Sequence, residues 1–211
     1  MYRMPAAELT FSHELEIKRS RFLTFIRRVQ NEEQARAFIA EIKHQFPDAR
    51  HHCSAFIYHV EGANAVERSS DDGEPSGTAG QPMLDVLRGC DMLDIAAVVV
   101  RYFGGVKLGT GGLVRAYSDA VAQCLPHVQS VVREFRELYT VELGHDIAGR
   151  IEAELRARRF DVVDTTYGTK VTLTIAVPPG TDEELSAAIA TLTQGATQIN
   201  KAGHQWVENP V

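Results

Sequence analysis

The 211-residue chain is short of cysteine, has no excess of positive charge and contains no long hydrophobic run, and each shortage closes off a class of protein. Its three cysteines, Cys53, Cys90 and Cys124, are odd in number and widely spaced, so neither a disulfide framework nor a Cys-x-x-Cys zinc pair is suggested. Reduced thiols are expected. No apolar stretch approaches the roughly 20 residues that span a bilayer, and Met1 to Ser12 has neither a basic n-region nor an apolar h-region. A cytoplasmic protein without a membrane partner is expected. The net charge of -6 divides unevenly, with 16 Lys and Arg against 17 Asp and Glu in residues 1–136, and 6 against 11 in residues 137–211. A nucleic-acid-binding protein that works through bulk charge is strongly basic, so any contact with RNA here must use a local patch. What remains, 44% hydrophobic and 24% charged residues with 16 Gly and 8 Pro, is the composition of a globular protein. The length suffices for one large or two small domains, each with a core.

Hydrophobic periodicity divides the chain near residues 130–137 into an α+β pair of domains, 1–136 and 137–211. In the first, Leu9, Phe11, Leu15 and Ile17 occupy alternate positions, and a second strand covers about Phe22 to Val29 after a basic turn. Ala35, Phe38, Ile39, Ile42 and Phe46 repeat at helical spacing up to Pro47. A strand over about Cys53 to Val60 leads into a long loop, Gly62 to Gly80, of a length that is uncommon unless functional or disordered. Pro82 suits the first turn of a short helix ending before Gly89. Ile95 to Val100 is a continuous apolar run, as expected of a central strand covered on both faces, and Leu113, Tyr117, Val121 and Leu125 mark the next helix. In the second domain a strand at 138–143 precedes a helix carrying Ile147, Ile151 and Leu155. Two strands then meet near Tyr167-Gly168, the second alternating Val171, Leu173, Ile175 and Val177 against Thr172 and Thr174. A helix with Leu185, Ile189 and Leu192 and a strand from Ile199 towards Trp206 complete a βαββαβ order, which is the ferredoxin-like arrangement.

The strongest chemical signal is Arg101-Tyr102-Phe103-Gly104-Gly105-Val106-Lys107-Leu108-Gly109-Thr110-Gly111-Gly112, between the buried strand and the helix behind it. Free amides at a helix N-terminus and the macrodipole favour an anion, and glycines let its oxygens approach the backbone. Lys107 and Arg115 would add charge. Arg101, Gly104, Gly105, Lys107, Gly109, Thr110, Gly111, Gly112 and Arg115 are therefore the candidate anion- or RNA-binding residues. Neither a Walker A step nor a Rossmann G-x-G-x-x-G context is present. A tight strand-to-helix turn, with Gly supplying positive φ, accounts for the same string. In the long loop, Asp71, Asp72 and Glu74 crowd three carboxylates into four positions without the spacing of an EF-hand. They either fix turns through backbone amides or pair with Arg101, Lys107 or Arg115 across a groove, making the two loops one surface.

His51-His52-Cys53 resembles a ligand group, but strand neighbours point to opposite faces, so only His51 and Cys53 could converge, without a third ligand. A buried Cys is commonly a small hydrophobe. His59 reads as structural. No Ser-His-Asp order, nucleophile elbow or kinase signature can be assembled, so no catalytic residue, metal or cofactor is assigned. Lys18, Arg19, Arg21, Arg27 and Arg28 form the only basic cluster, suited to phosphate, to an acidic protein or simply to a solvated hairpin end.

Through Lys18-Arg19-Ser20-Arg21-Phe22, Pro47 to Cys53, Ser70 to Gly80, Arg101 to Gly105 and Arg115-Ala116-Tyr117-Ser118, the sequence resembles the YigZ/IMPACT family. The acidic C-terminal part resembles the small second domain of its bacterial members. The resemblance implies a first domain like the second domain of a small-subunit ribosomal protein and domain IV of elongation factor G, with a ferredoxin-like domain resembling that factor's domain V. Eukaryotic members restrain the general-control kinase of translation through a further N-terminal domain that this sequence does not contain. The resemblance carries no catalytic residue. Two functions follow as expectations. One is a non-enzymatic, translation-associated protein that contacts RNA, the ribosome or a ribosome-associated protein through the glycine-rich and acidic loops. The other is a metal-assisted enzyme acting on a phosphorylated small molecule, with the glycine loop on phosphate and Asp71, Asp72 or Glu74 on the metal. A blander possibility puts the working surface on the sheet of residues 138–206.

Overall fold

The computed structural model describes residues 1–210, which form a mixed α+β protein of two compact units, residues 2–132 and 133–209. The first unit contains β1 (Tyr2–Pro5), β2 (Thr10–Ile17), β3 (Ser20–Arg28), α1 (Glu32–Gln45), β4 (His51–Tyr58), β5 (Val66–Ser70), α2 (Gly80–Arg88), β6 (Ile95–Tyr102) and α3 (Thr110–Cys124). Five of these strands make an antiparallel sheet in the order β2-β3-β6-β4-β5. The apolar run predicted as a doubly covered strand is β6, at the centre. Its Ile95, Ala97 and Val99 enter a core with Met83 and Leu87 of α2 and Tyr117 and Val121 of α3. The alternate residues Ala96, Val98 and Val100 face Phe38 and Ile42 of α1. Each face of one strand thus belongs to a separate apolar layer, which is why β6 shows no polar alternation.

Asn31 starts α1, its side chain accepting from the Gln34 amide at 2.9 Å, with Glu32 and Glu33 in the first turn and Lys43 and His44 in the last, as the macrodipole favours. Three features depart from the expected pattern. The chain opens with β1, which pairs with the leading end of the strand that follows α3. The segment 62–80, expected to be structureless, carries β5, an edge strand whose Val66-Glu67-Arg68-Ser69-Ser70 sequence is too polar to alternate. Finally, α3 begins at Thr110, so Gly111 and Gly112 lie inside its first turn rather than before it.

The second unit is built from β7 (Ser130–Leu143), α4 (Ala148–Ala157), β8 (Asp161–Tyr167), β9 (Val171–Val177), α5 (Asp182–Thr193) and β10 (Asn200–Pro210). Its strands lie in the order β10-β7-β9-β8. Val141 and Leu143 of β7 and Leu173 and Ile175 of β9 pack with Ile151 and Leu155 of α4 and Leu185 and Ile189 of α5. Thr172 and Thr174 point the other way, as the period of two requires. Among the described residues, no helix is long and apolar enough to cross a membrane.

Candidate functional site

The glycine-rich loop connects β6 to α3, and its shape is set by what lies beneath it. A Cβ on Gly104 would stand 2.0 Å from the carbonyl carbon of Arg19 and 2.4 Å from the Ser20 amide nitrogen, so only glycine fits against the turn between β2 and β3. The Gly104 amide donates to Ser20 Oγ at 3.2 Å. At the far end Gly109 takes φ 74° and caps α3 without a side-chain hydrogen bond, and no acidic residue stands in the first turn. The first helical bond runs from the Leu113 amide to the Gly109 carbonyl at 2.9 Å. Helix geometry therefore leaves the amides of Thr110, Gly111 and Gly112 without an intrahelical acceptor.

Beside the loop lies a cleft of about 610 Å³. Its lining includes Arg50, Glu74, Arg101, Phe103, Lys107 and Thr110. Arg101 is the last buried residue of β6, 7% exposed. Its Nη1 donates to Glu74 Oε1 at 2.6 Å in an ion pair buried on both sides. Tyr117 of α3 donates to the same oxygen at 2.8 Å, and its ring meets Phe22 edge-on. Cys53 reaches the Tyr117 hydroxyl at 3.3 Å and donates to the Asp71 carbonyl at 3.0 Å. The guanidinium of Arg101 sits over the rings of Phe22 and Phe103 at 5.5 and 5.8 Å. Its Nε is buried and has no partner. A buried guanidinium N–H without an acceptor costs the desolvation of a charged donor.

Two titratable groups of the cluster, Cys53 and Tyr117, are unsuited to proton transfer. Burial pushes the Cys53 thiol up to about 12, with Glu74, Asp72 and Asp71 acting in the same direction against the opposing Tyr117 hydrogen bond. Burial also raises Tyr117 strongly. Neither supplies a nucleophile near neutral pH. His51 faces the Asp72 carbonyl at 3.0 Å through Nδ1, whereas His52 points the other way, to the Phe46 carbonyl at 2.9 Å.

The acidic loop separates into two functions. Of its three carboxylates Glu74 lines the cleft, beside Pro75. Asp71 accepts from three amides, Gly77 at 2.7 Å, Ala79 at 3.0 Å and Gly80 at 2.8 Å, and so anchors the start of α2, which has no side-chain cap of its own. Burial alone would raise the Asp71 carboxyl, but the three amides together outweigh it and hold it low. Asp72 takes the Lys43 ammonium and the His52 amide, both at 2.7 Å, and these likewise overcome its desolvation. All three carboxylates considered for a metal, Asp71, Asp72 and Glu74, are thus hydrogen-bonded within the fold. Among the described residues, no group of three or more His, Cys, Asp and Glu is placed to hold a metal ion.

Of the nine glycine-loop candidates, Arg101, Lys107, Gly109 and Thr110 line the cleft. Gly104 and Gly105 shape the loop, Gly111 and Gly112 form the first turn of α3, and Arg115 stands exposed further along that helix, outside the lining. Arg50, Phe103 and Tyr117 were not singled out as site residues by sequence reasoning. The period of two along β6 puts Arg101 on the face that carries Val99 and Ala97, towards α3, and this is the signal that pairs it with Tyr117.

Residues 18–125 match the model of the Impact N-terminal domain, and residues 141–196 that of a domain of unknown function (DUF1949). The IMPACT family member YigZ of Escherichia coli is 39% identical over 196 residues, covering 93% of this chain and 95% of that one. The family member YvyE of Bacillus subtilis is 38% identical over 199 residues, covering 94% and 91%. A solved structure described as the crystal structure of a hypothetical protein is 38% identical, with a TM-score of 0.60 over 94% of this chain and 95% of that one.

Proposed function

The chain belongs to the IMPACT family, and we propose that it is a cytoplasmic, translation-associated binding protein, not an enzyme, whose first domain takes RNA through the cleft between the glycine-rich loop and Glu74. The role in translational control that the resemblance implies for eukaryotic members supports the setting, and the unpartnered Nε of buried Arg101 carries the chemistry. A phosphate oxygen there would accept from Arg101, while the free amides of α3 and the exposed Lys107 and Arg50 approach from the sides. Glu74 does not oppose this. It fixes Arg101 through Nη1, and Nε makes no hydrogen bond within the fold. Phosphate contact positions RNA without reading sequence, which suits a protein whose overall charge is negative and whose attraction must be local.

The same reading gives residues 1–136 the sandwich of a ribosomal protein's second domain and residues 137–211 the ferredoxin-like fold. The βαββαβ order and the strand order β10-β7-β9-β8 support the latter.

Binding of the full chain to an RNA oligonucleotide or to ribosomes over a salt series tests the reading. Replacing Lys107 and Arg50 by alanine should weaken binding and lower the slope of log K against log salt by about 1.4, or about 0.7 for each lost phosphate contact on a single strand. Unchanged affinity and slope would remove the site.

A further inference from the structure

We infer that the RNA form this cleft accepts is single-stranded, with one unpaired base stacked on Phe103 and the phosphate beside it continuing onto Lys18 and Arg19 at the tip of the β2-β3 hairpin; this rests on the RNA reading above. Phe103 is 58% exposed at the rim, next to the buried Arg101. Arg101 lies 5.8 Å from the centre of its ring. The ring is more than half in solvent, and the backbone beside it is fixed, because its neighbour Gly104 is wedged against the hairpin turn with no room for a side chain. A ring presented in this way matches the flat face of an unstacked base, which a duplex keeps inside its own stack.

The hairpin tip supplies the second observation. Ile17 pairs with Ser20, so Lys18 and Arg19 form a two-residue turn, with φ of 47° and 66°. Such a turn favours Asn-Gly, because both central residues must adopt the left-handed conformation. Two long cationic side chains there are a local cost that the fold does not require. The rest of the basic cluster is engaged: Arg21 with Glu14, Arg27 with Glu41, and Arg28 with the Pro5 carbonyl. Lys18 and Arg19 are exposed and have no ion-pair partner among the described residues. Because the Arg19 backbone touches Gly104, these cations begin one residue from Phe103. Lys107 and Arg50 line the cleft beside Phe103, and its two carboxylates are already engaged, Asp48 accepting from the Tyr102 hydroxyl and Glu74 from Arg101, so the cleft offers cations in addition to those of the hairpin tip.

The full chain is titrated with a single-stranded RNA oligonucleotide carrying one 2-aminopurine, and with the same sequence closed into a duplex. The proposal expects the single strand to bind about tenfold or more tightly than the duplex, with quenching of the 2-aminopurine on binding. Phe103→Ala should lose about tenfold in single-strand affinity and the quenching, with an unchanged salt slope. Phe103→Trp should restore both. Lys18→Asn with Arg19→Gly installs the residues this turn prefers, so the protein should melt no lower than the wild type while its salt slope falls by about 1.4. Equal binding of both RNA forms with a silent Phe103→Ala would overturn the stacking proposal and leave the phosphate cleft standing, provided the Lys107 and Arg50 substitutions still act. No binding of either RNA by the wild type would overturn both.

Discussion

The two loops that meet at the cleft are both polar and rich in glycine, and they use those properties in opposite ways. In the acidic loop the polar groups are consumed by the fold. Asp71 satisfies three amides, Asp72 joins α1 to β4, and Glu74 is buried against Arg101 and Tyr117. In the glycine-rich loop they are left open, since α3 has no side-chain cap, Phe103 stands in solvent and Arg101 keeps an unpartnered Nε. One loop is the frame and the other the receiver. Composition does not separate these roles, because what a polar group meets is decided by the elements that other parts of the chain bring to it.

Substitutions can break this contrast. The largest effect is expected at Glu74→Gln, which leaves the buried Arg101 charge without its counter-ion. Removing one partner of a buried pair costs about 3–5 kcal/mol, measurable as a lower urea midpoint. Asp71→Ala should follow, with a loss of about 2–3 kcal/mol from the abandoned charge-assisted amide bonds and little change in intrinsic RNA affinity at temperatures where it is folded. The acid limb sharpens the point. Asp71 and Asp72 are held below the ordinary aspartate range in the fold, so their stabilisation is complete above that range and disappears as pH falls through the lowered values. The Asp71→Asn, Asp72→Asn double variant should be less stable near neutrality and show a flatter acid limb in pH-dependent denaturation. At the receiving loop, Lys107→Ala with Arg50→Ala should leave the unfolding free energy within about 0.5 kcal/mol while lowering RNA affinity. Arg115→Ala, outside the lining, should change affinity least, by about twofold or less in a binding assay at physiological salt.

The architecture was legible wherever burial imposed a period. The unbroken Ile95 to Val100 run identified the central strand, and the spacing of Phe38 and Ile42 and of Tyr117 and Val121 identified the two helices that cover its opposite faces. The edge strand β5 was not legible, because its exposed residues are polar on both sides and only pairing with β4 makes it a strand. At the site, the glycine loop and the possibility of a carboxylate facing Arg101 were visible in composition. Which carboxylate was not, since three neighbours in sequence turn towards an amide cluster, a lysine and a buried arginine. Tyr117 read as a core residue. Its ring is one, but its hydroxyl completes the Glu74 cluster, which depends on a loop residue 43 positions away being folded against it. The exposure of Phe103 and the fit of Gly104 against Arg19 likewise exist only once β2, β3 and β6 are side by side.

The most direct measurement follows the Nε–H resonance of Arg101 and the backbone amides of Thr110, Gly111 and Gly112 by ¹H–¹⁵N NMR during titration of the full chain with a short oligouridylate. The account predicts that all four shift together along one binding isotherm, with Arg101 Nε–H moving in the direction of a newly formed hydrogen bond. Stationary signals from these groups while the oligonucleotide binds elsewhere on the protein would contradict it.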